Sequence, residues 1–460
     1  MAYESEIHTF HSGRPQPESS SALSTFTSVD PSNAQPLATI YTTTCQQLDD
    51  AVASAQAAFP SWAARTPPSW RATILLRAAG LLWQSNDKLG LMETLDTGKA
   101  LSEISTVDIV TDADVLEYLA HLVAAGLPGQ HVKLRTDAHF VTSYEPLGVC
   151  AGIVAWNYPL QIALWKLAPC LAAGNCMVYK PSEVTPIHAN ALAQIYVDAR
   201  VPPGVFNVVY GDGPSLRAPL VSHPGIAKGS HLSSEEKDFP TQEGFWVPPV
   251  IFSDCTDDMP IAKEEIFGPV MCILPYETES REDWLAELIR RANNTLMGLA
   301  AGVVSSDVGC AQSVVQQLNA GITWVNTWGE SPAKMPVGGW KMSGLGVENG
   351  QEGIQAYLRT KTANTISANT TSGSVSIEPI AINFSEAEQV VVFGSIPAVA
   401  KECRFTQREA DTIYRVFISE GDNNLANVLQ LTGFPHEGEV ITFESLKPFE
   451  CKYIGGEYTI

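Results

Sequence analysis

Three short apolar segments, separated by two helical stretches, constrain the fold of this chain more than any other feature. The apolar segments are Val149–Ala155, Met177–Lys180 and Val205–Tyr210, and the helical stretches between them are Pro159–Ala173 and Ile187–Ala199. Strand, helix, strand, helix, strand predicts a parallel sheet with right-handed crossovers. The predicted fold class is therefore α/β, with a Rossmann-type parallel sheet.

The helix after the first of these strands begins with Trp156-Asn157-Tyr158-Pro159. Proline suits the first helical turn, where its missing N–H costs nothing. Asn157 can point its amide N–H at a ligand oxygen, as a developing oxyanion requires, or it can cap the helix. Tyr158 and Trp165 are two turns apart and share a helix face. They can enclose a quaternary ammonium by cation–π attraction, or they can be core residues.

The charge and the cysteines indicate which partners and compartment to expect. The formal net charge of −22 argues against binding to nucleic acid or anionic membranes and favours cationic ligands, although an ordinary acidic enzyme would also show it. No signal peptide or membrane-spanning run is expected. The nine scattered cysteines, without a CxxC pair, predict reduced thiols, no metal site and a cytoplasmic protein.

Composition also suggests segments outside the predicted sheet. Residues 1–35 are rich in Ser, Pro and Thr and are expected to form a flexible arm. Two strand-like runs between His131 and Tyr144 predict a hairpin. Ala363–Ser374 has the composition of a linker. Beyond it, the chain alternates strand-like runs with one predicted helix around Gln407–Ser419.

Many segments, in order along residues 25–228 and 244–362, resemble the aldehyde dehydrogenase family. They include Tyr144–Val149, Trp156–Pro159, Leu167–Asn175, Lys180–Glu183, Pro203–Val209, Glu264–Val270, Ala292-Asn293, Gly298–Gly302 and Met335–Gly344. Three further segments resemble its betaine-aldehyde branch, namely Leu95–Ala100, Thr106–Val110 and Trp328–Ala333.

The resemblance implies a site for NAD. Lys180 and Glu183 would hydrogen-bond the adenosine ribose of the dinucleotide. Glu183 can accept a hydrogen bond from a ribose 2′-OH and would repel a 2′-phosphate, so NAD is favoured over NADP. Glu265 would hold the nicotinamide ribose, Phe267 would pack beside the nicotinamide, and Trp156 is counted among the cofactor-binding residues. The alternatives are a solvated turn pair for Lys180 and Glu183, a helix-capping acid for Glu265 and a core aromatic for Phe267.

The resemblance also implies a substrate site. Asn157 would supply the side-chain half of an oxyanion hole, with Tyr158, Trp165 and Trp328 facing the substrate. The substrate implied is an aldehyde, with betaine aldehyde or another amino- or ammonio-aldehyde preferred. A homo-oligomer, assembled through the hairpin at residues 131–144, is the expected macromolecular partner.

Family chemistry needs a thiolate nucleophile, a Glu that activates water, and a glycine turn that carries the pyrophosphate. In family order all three lie between the segments that match His223–Lys228 and Trp246–Pro249, where this chain has only Gly229–Phe245. No Gly-Gln-x-Cys and no Glu-Leu-Gly-Gly-Lys sequence is present. We therefore expect no catalytic Cys or general-base Glu.

The expected organisation follows from this gap. Residues 36–243 would form a truncated dinucleotide-binding domain with the hairpin, residues 244–362 a remnant of the catalytic domain, and residues 363–460 an extension of unknown role. Three interpretations stay open. The chain is an NAD-dependent aldehyde dehydrogenase by family, a catalytically dead pseudoenzyme that assembles with an intact paralogue, or an incomplete gene model of an active enzyme.

Overall fold

The computed structural model describes residues 3–17, 24–136, 138–230, 244–276 and 281–366, together with seven strands between residues 390 and 459. The chain divides into two compact units, Met1–Ser367 and Ala368–Ile460. The strands of the first unit are β1 (Glu6–Ile7), β2 (Phe10–His11), β3 (Arg14–Pro15), β4 (Thr25–Val29), β5 (Pro36–Tyr41), β6 (His131–Arg135), β7 (Ala138–Pro146), β8 (Val149–Ile153), β9 (Cys176–Lys180), β10 (Phe206–Val208), β11 (Lys228–Ser230), β12 (Val250–Phe252), β13 (Val270–Cys272), β14 (Ala300–Val303), β15 (Ile322–Val325), β16 (Val337–Gly338), β17 (Val347–Glu348) and β18 (Leu358–Ile366).

The α-helices of this unit are α1 (Cys45–Pro60), α2 (Pro68–Gln84), α3 (Asn86–Thr97), α4 (Leu101–Glu103), α5 (Ile109–Ala125), α6 (Pro159–Ala173), α7 (His188–Asp198), α8 (Ala218–Ser222), α9 (Pro260–Lys263), α10 (Arg281–Asn293), α11 (Val308–Val315) and α12 (Gly350–Gln355). Short π-helical turns occupy Ser61–Arg65, Ile104–Asp108 and Gly213–Arg217, and Lys341–Ser343 is a 3₁₀ turn. In the described part of the chain, no helix is both long and apolar enough to cross a membrane.

The central sheet has six strands in the order β11-β8-β9-β10-β2-β3. β11, β8, β9 and β10 are parallel, and β2 joins β10 in the antiparallel direction. β8 and β9 are buried along their whole length, as expected for parallel strands covered on both faces. The α/β fold with a parallel sheet is therefore confirmed.

Helix α6 begins and ends at residues whose chemistry fits those positions. Pro159 is its first residue, and Gly174 follows its last residue with a φ of 95°, in the left-handed region that favours glycine. Arg71 of α2 donates from Nε to the carbonyl of Ala172, at 3.1 Å, near the carboxyl end of α6. The sequence therefore fixes both ends of the helix that follows the first central strand.

Residues 1–35 differ from the predicted flexible arm, because they contain β1–β4. β1 pairs with β5, and β2 extends the central sheet. Ile7 and Phe10 are buried, and the hydroxyls of Thr9 and Thr43 lie 2.7 Å apart. The polar composition of the segment concealed two short apolar anchors. An average over 35 residues does not register them, although each buries a large side chain.

The predicted hairpin between His131 and Tyr144 is present as β6 and β7. β18 pairs with the other side of β7 in the antiparallel direction, from Leu358 opposite Pro146 to Ile366 opposite Ala138. The sheet order β18-β7-β6 leaves β6 at an edge, and all five of its residues are exposed. The first four residues of the predicted linker belong to β18, and residues 367–374 lie outside the described part.

The second unit contains β19 (Val390–Phe393), β20 (Glu402–Arg404), β21 (Ile413–Ile418), β22 (Asn427–Thr432), β23 (Val440–Thr442), β24 (Glu450–Tyr453) and β25 (Gly456–Thr459). β21 pairs with β19 and β22. The helix predicted around Gln407–Ser419 is wrong over Ile413–Ile418, where β-branched residues suit a strand. Residues 405–412 of that prediction lie outside the described residues.

Candidate active site

The segments that follow β8 and β9 lie at the same edge of the central sheet. Ile153 at the end of β8 is opposite Lys180 at the end of β9. Thr185, beyond β9, donates from its hydroxyl to the carbonyl of Trp156, beyond β8, at 3.1 Å. Open α/β sheets bind ligands outside the carboxyl ends of their strands. The candidate site therefore lies at this edge.

Asn157 does not cap helix α6. The N-cap position is Tyr158, and the helix start has no side-chain cap hydrogen bond. Asn157 itself is half-buried, one residue before that position. The capping alternative is therefore wrong, and the geometry leaves the role of an oxyanion donor as the prediction for this amide.

Lys180 and Glu183 form a fixed pair at the end of β9. Lys180 Nζ lies 2.9 Å from Glu183 Oε2 and donates to the carbonyl of Pro181 at 3.2 Å. The Lys180 side chain is buried, whereas that of Glu183 is 23% exposed. Glu183 Oε1 accepts from the backbone N–H of Gly213 at 3.2 Å. The pair is not a solvated turn pair, because a buried ammonium holds the carboxylate in place.

Trp156 and Phe267 are in contact, although 111 residues separate them in the sequence. Their ring centroids are 5.0 Å apart, with planes tilted by 54°. Phe267 has a φ of 53°, which is uncommon for a residue with a side chain, and it is 57% exposed. Glu265, two residues earlier, is exposed. This contact brings the predicted nicotinamide segment to the start of α6.

Tyr158 faces a cation that belongs to the chain itself. Lys99 Nζ lies 3.5 Å from the centroid of the Tyr158 ring. The same ammonium lies 2.5 Å from Asp108 Oδ2 and 3.8 Å from Glu103 Oε1. Lys99 was not predicted as a site residue, because 59 positions separate it from Tyr158. The motif containing Lys99 contributed only to the family resemblance.

The other two predicted substrate aromatics have different surroundings. Trp165 is half-buried against the core, and its indole N–H is buried without a hydrogen-bond partner. Trp328 is 70% exposed and packs on Trp324, with ring centroids 4.9 Å apart. Among the described ring contacts, none joins Tyr158, Trp165 and Trp328. Tyr158 is therefore the aromatic residue at the site for which a cation contact is observed.

Four acidic side chains of α3, α5 and the turn between them are buried near the start of α6. They are Glu93, Asp96, Asp108 and Asp112. Burial raises the pKa of Glu93 to about 8 and that of Asp96 to about 7. Burial also raises the pKa of Asp112 well above its ordinary value and that of Asp108 above its own. The sequence signal for this cluster was acids at positions where the helix pattern calls for apolar residues.

No buried cysteine at the sheet can replace the missing nucleophile. Cys176 is opposite Val149, at the amino ends of β9 and β8, whereas Asn157 follows the carboxyl end of β8. Four residues of strand span about 13 Å. Burial also raises the pKa of the Cys176 thiol to about 12, so it stays protonated at neutral pH. Cys150 and Cys170 are likewise buried.

An ion pair that was not predicted connects α6 to β17. Lys166 Nζ lies 2.6 Å from Glu348 Oε1, and the Lys166 side chain is 2% exposed. The two residues are 182 positions apart, so spacing in the sequence gives no signal for the pair. It ties the helix that follows Asn157 to the segment that precedes α12.

Comparison with known proteins identifies the family that this geometry resembles. A model described as the aldehyde dehydrogenase family matches residues 18–236 and 228–363. An aldehyde dehydrogenase from Bacillus cereus, solved with NAD+, is similar at 26% identity and a TM-score of 0.72, covering 78% of this chain and 96% of the other. An indole-3-acetaldehyde dehydrogenase of P. syringae, solved with NAD+, is similar at 25% identity and 0.72, covering 79% and 97%.

A betaine aldehyde dehydrogenase from Staphylococcus aureus, also solved with NAD+, has a TM-score of 0.71 at 22% identity and covers 79% of this chain and 98% of the other. At this level of identity the similarity concerns the fold alone.

Proposed function

Because the chain belongs to the aldehyde dehydrogenase family, we propose that it binds NAD at the edge of the sheet where β8 and β9 end. The proposed chemistry of that site is the NAD-dependent oxidation of an aldehyde to a carboxylate. The observation that carries the proposal is the fixed Lys180–Glu183 pair, on the same edge as the Trp156–Phe267 contact.

The residues at this edge fit a dinucleotide. Glu183 is partly exposed, held by Lys180, and able to accept from a ribose 2′-OH, which favours NAD over NADP. Glu265 would hold the nicotinamide ribose, beside Trp156 and Phe267. Bound NAD would supply a hydride acceptor. Asn157 would donate a hydrogen bond to the oxygen of the reacting aldehyde.

We propose that the chain as sequenced has little or no dehydrogenase activity. Aldehyde oxidation in this family requires a thiolate that attacks the aldehyde carbon, and a base that activates water for hydrolysis of the thioester. The sequence between Lys228 and Trp246 contains neither a cysteine nor a motif for the base. The match of the family model in two segments supports a missing block at this junction.

The packing of residues 244–345 also supports a missing block. β12 pairs only with β13, and β14 only with β15, each in a parallel two-stranded sheet. Parallel sheets are normally covered on both faces, yet every residue of β12 is exposed. Large exposed apolar side chains concentrate in this region, including Trp246, Ile251, Leu296, Val304 and Leu345. Such surfaces fit a domain that has lost its interior.

A pseudoenzyme and an incomplete gene model predict the same protein sequence but different transcripts. Sequencing the messenger across the Lys228–Gly229 junction separates them. A transcript that encodes the missing block would restore the enzyme interpretation. A transcript that joins the two codons directly would leave a chain that binds cofactor and assembles with another subunit, itself or an intact paralogue.

Assembly would involve the hairpin sheet. β6 is an exposed edge strand, and its side chains Val132 and Leu134 are 37% and 54% exposed. An exposed edge offers unpaired backbone groups and apolar side chains to a second strand. We propose that this edge joins two subunits.

The proposed substrate is an aldehyde whose tail lies against Tyr158. The betaine-aldehyde-like or amino-aldehyde preference draws support from the branch resemblance and the acidic chain. It also requires a free face on the Tyr158 ring. The position of Lys99 opposes this part of the proposal, because Lys99 already supplies a cation to the ring.

Calorimetric titration with NAD tests the cofactor site. Wild type is expected to bind NAD and to bind NADP more weakly. Glu183→Ala should weaken NAD binding about tenfold or more, because a hydrogen bond to a charged acceptor contributes about 1.5–3 kcal/mol. Glu287→Ala is the control, since Glu287 is exposed and pairs with Arg290 on α10. Equal affinities for both variants would refute the assignment of Glu183.

A further inference from the structure

The backbone holds Lys99 at a defined place beside Tyr158. Gly98, which follows α3, has a φ of 78°, and a Cβ at that position would lie 2.9 Å from the Pro31 side chain. Lys99 N–H donates to the Thr97 hydroxyl at 3.1 Å. The turn that presents Lys99 therefore requires glycine on one side and is tied to α3 on the other.

Two carboxylates fix the Lys99 ammonium. Asp108, at the end of the Ile104–Asp108 π-turn, is 2% exposed and lies 2.5 Å from Nζ. Glu103 is 49% exposed and lies 3.8 Å from it. The Lys99 side chain is itself only 15% exposed. A buried carboxylate without this partner would be destabilised, so the ammonium has a strong reason to stay where it is.

The ammonium in this position occupies the binding surface that a cationic substrate would need. Cation–π attraction requires the cation to lie over the ring face, within about 6 Å of the centroid. Lys99 Nζ is 3.5 Å from that centroid. A substrate ammonium would have to displace Lys99 from the ring and from Asp108, or approach a charge of the same sign. An uncharged tail would meet neither obstacle.

We propose that Lys99 is a specificity-determining residue, which fills the cation site on Tyr158 and makes the site select aldehydes with an uncharged tail over amino- and ammonio-aldehydes. The proposal rests on the proposed aldehyde site at the start of α6. It concerns binding of the substrate tail and needs no turnover.

A matched pair of carboxylates tests the selection. Betaine carries a trimethylammonium tail, and 3,3-dimethylbutanoate has the same shape without the positive charge. Titration calorimetry without NAD should show wild type binding 3,3-dimethylbutanoate about tenfold more tightly than betaine. Lys99→Met should abolish or reverse that preference, because it frees the ring face and leaves Asp108 without its cation. Lys99→Arg should keep the wild-type preference.

Tighter binding of betaine to wild type overturns the proposal, as does the same ratio in wild type and Lys99→Met. Absence of binding by both ligands to every protein also overturns it. Should Lys99→Met fail to fold, Lys99→Met with Asp108→Asn removes both charges and should still lose the preference. NAD titration of the same preparations reports on the cofactor site separately, so its failure is distinguishable from failure of the Lys99 proposal.

Discussion

Glu93 is a carboxyl group that the fold keeps in its neutral form. It is 1% exposed, and neither carboxyl oxygen has a hydrogen-bond partner within the usual distance and angle limits. The backbone of Leu160, in the first turn of α6, is nevertheless near enough to oppose part of the shift caused by burial. Burial and the neighbouring Asp108 raise the pKa of Glu93 to about 8, against the opposing effect of Lys99. Protonation of Glu93 therefore stabilises the packing of α3 against the start of α6.

The sign of the resulting pH dependence follows from this raised pKa. The ordinary pKa of a glutamate is 4.5, so between that value and about 8 the folded chain binds a proton that the unfolded chain releases. This contribution to stability is complete below pH 4.5 and is lost as the pH rises through 8. The urea midpoint of wild type should therefore fall between pH 5.5 and 7.5.

Glu93→Gln cannot ionise and should flatten that slope, by up to about 1.4 kcal/mol per pH unit. Glu287→Gln, at an exposed position, should keep the wild-type slope. Parallel slopes in all three proteins would show that Glu93 ionises without cost in the folded state.

Individual residues show where prediction from the sequence stops. Lys180 and Glu183 are three positions apart, so a local turn brings them together and the sequence reports the pair. Lys99 and Tyr158 meet only because α3 and α5 pack at the start of α6. Packing of distant segments leaves no local pattern, and so the Lys99 contact and the Lys166–Glu348 ion pair were not predicted.

Secondary-structure elements were predicted best where the apolar period and the end residues agreed. Helix α6 has proline at its start and glycine after its end, and its neighbours β8 and β9 are continuous apolar runs. β1 and β2 have two residues each, too few to show a period of two. Their pairing with β5 and β10 depends on the completed sheet.

The hairpin edge yields a prediction at the scale of elements. Val132→Lys with Leu134→Lys places two charges on β6, which blocks pairing of an edge strand. Sedimentation velocity should show wild type as an oligomer and this variant as a smaller species. Val221→Lys, on α8, is the control, because Val221 is 44% exposed and lies outside the hairpin sheet. A monomeric wild type would rule out assembly through β6.

The two halves of the first unit differ in how completely they are packed. The buried core draws almost all of its side chains from residues 7–220, with Ile354 and Tyr357 added from the end of the unit. The region between 244 and 345 contributes none to that core and exposes many large apolar side chains. A sheet that binds dinucleotides is thus complete in its interior, whereas the part expected to carry the substrate chemistry is not.

This imbalance predicts the behaviour of the purified chain. Supplied with NAD and a panel of aldehydes with charged and uncharged tails, it should form less than one NADH per chain, measured by absorbance. Asn157 and the NAD edge supply electrostatic stabilisation and binding, but hydride leaves only after a nucleophile has added to the aldehyde. A complete family member, assayed in parallel, verifies the substrates. Steady production of NADH by this chain would mean that a thiol outside the central sheet reaches the site, and replacement of the exposed Cys45 by Ser would be the first variant to examine.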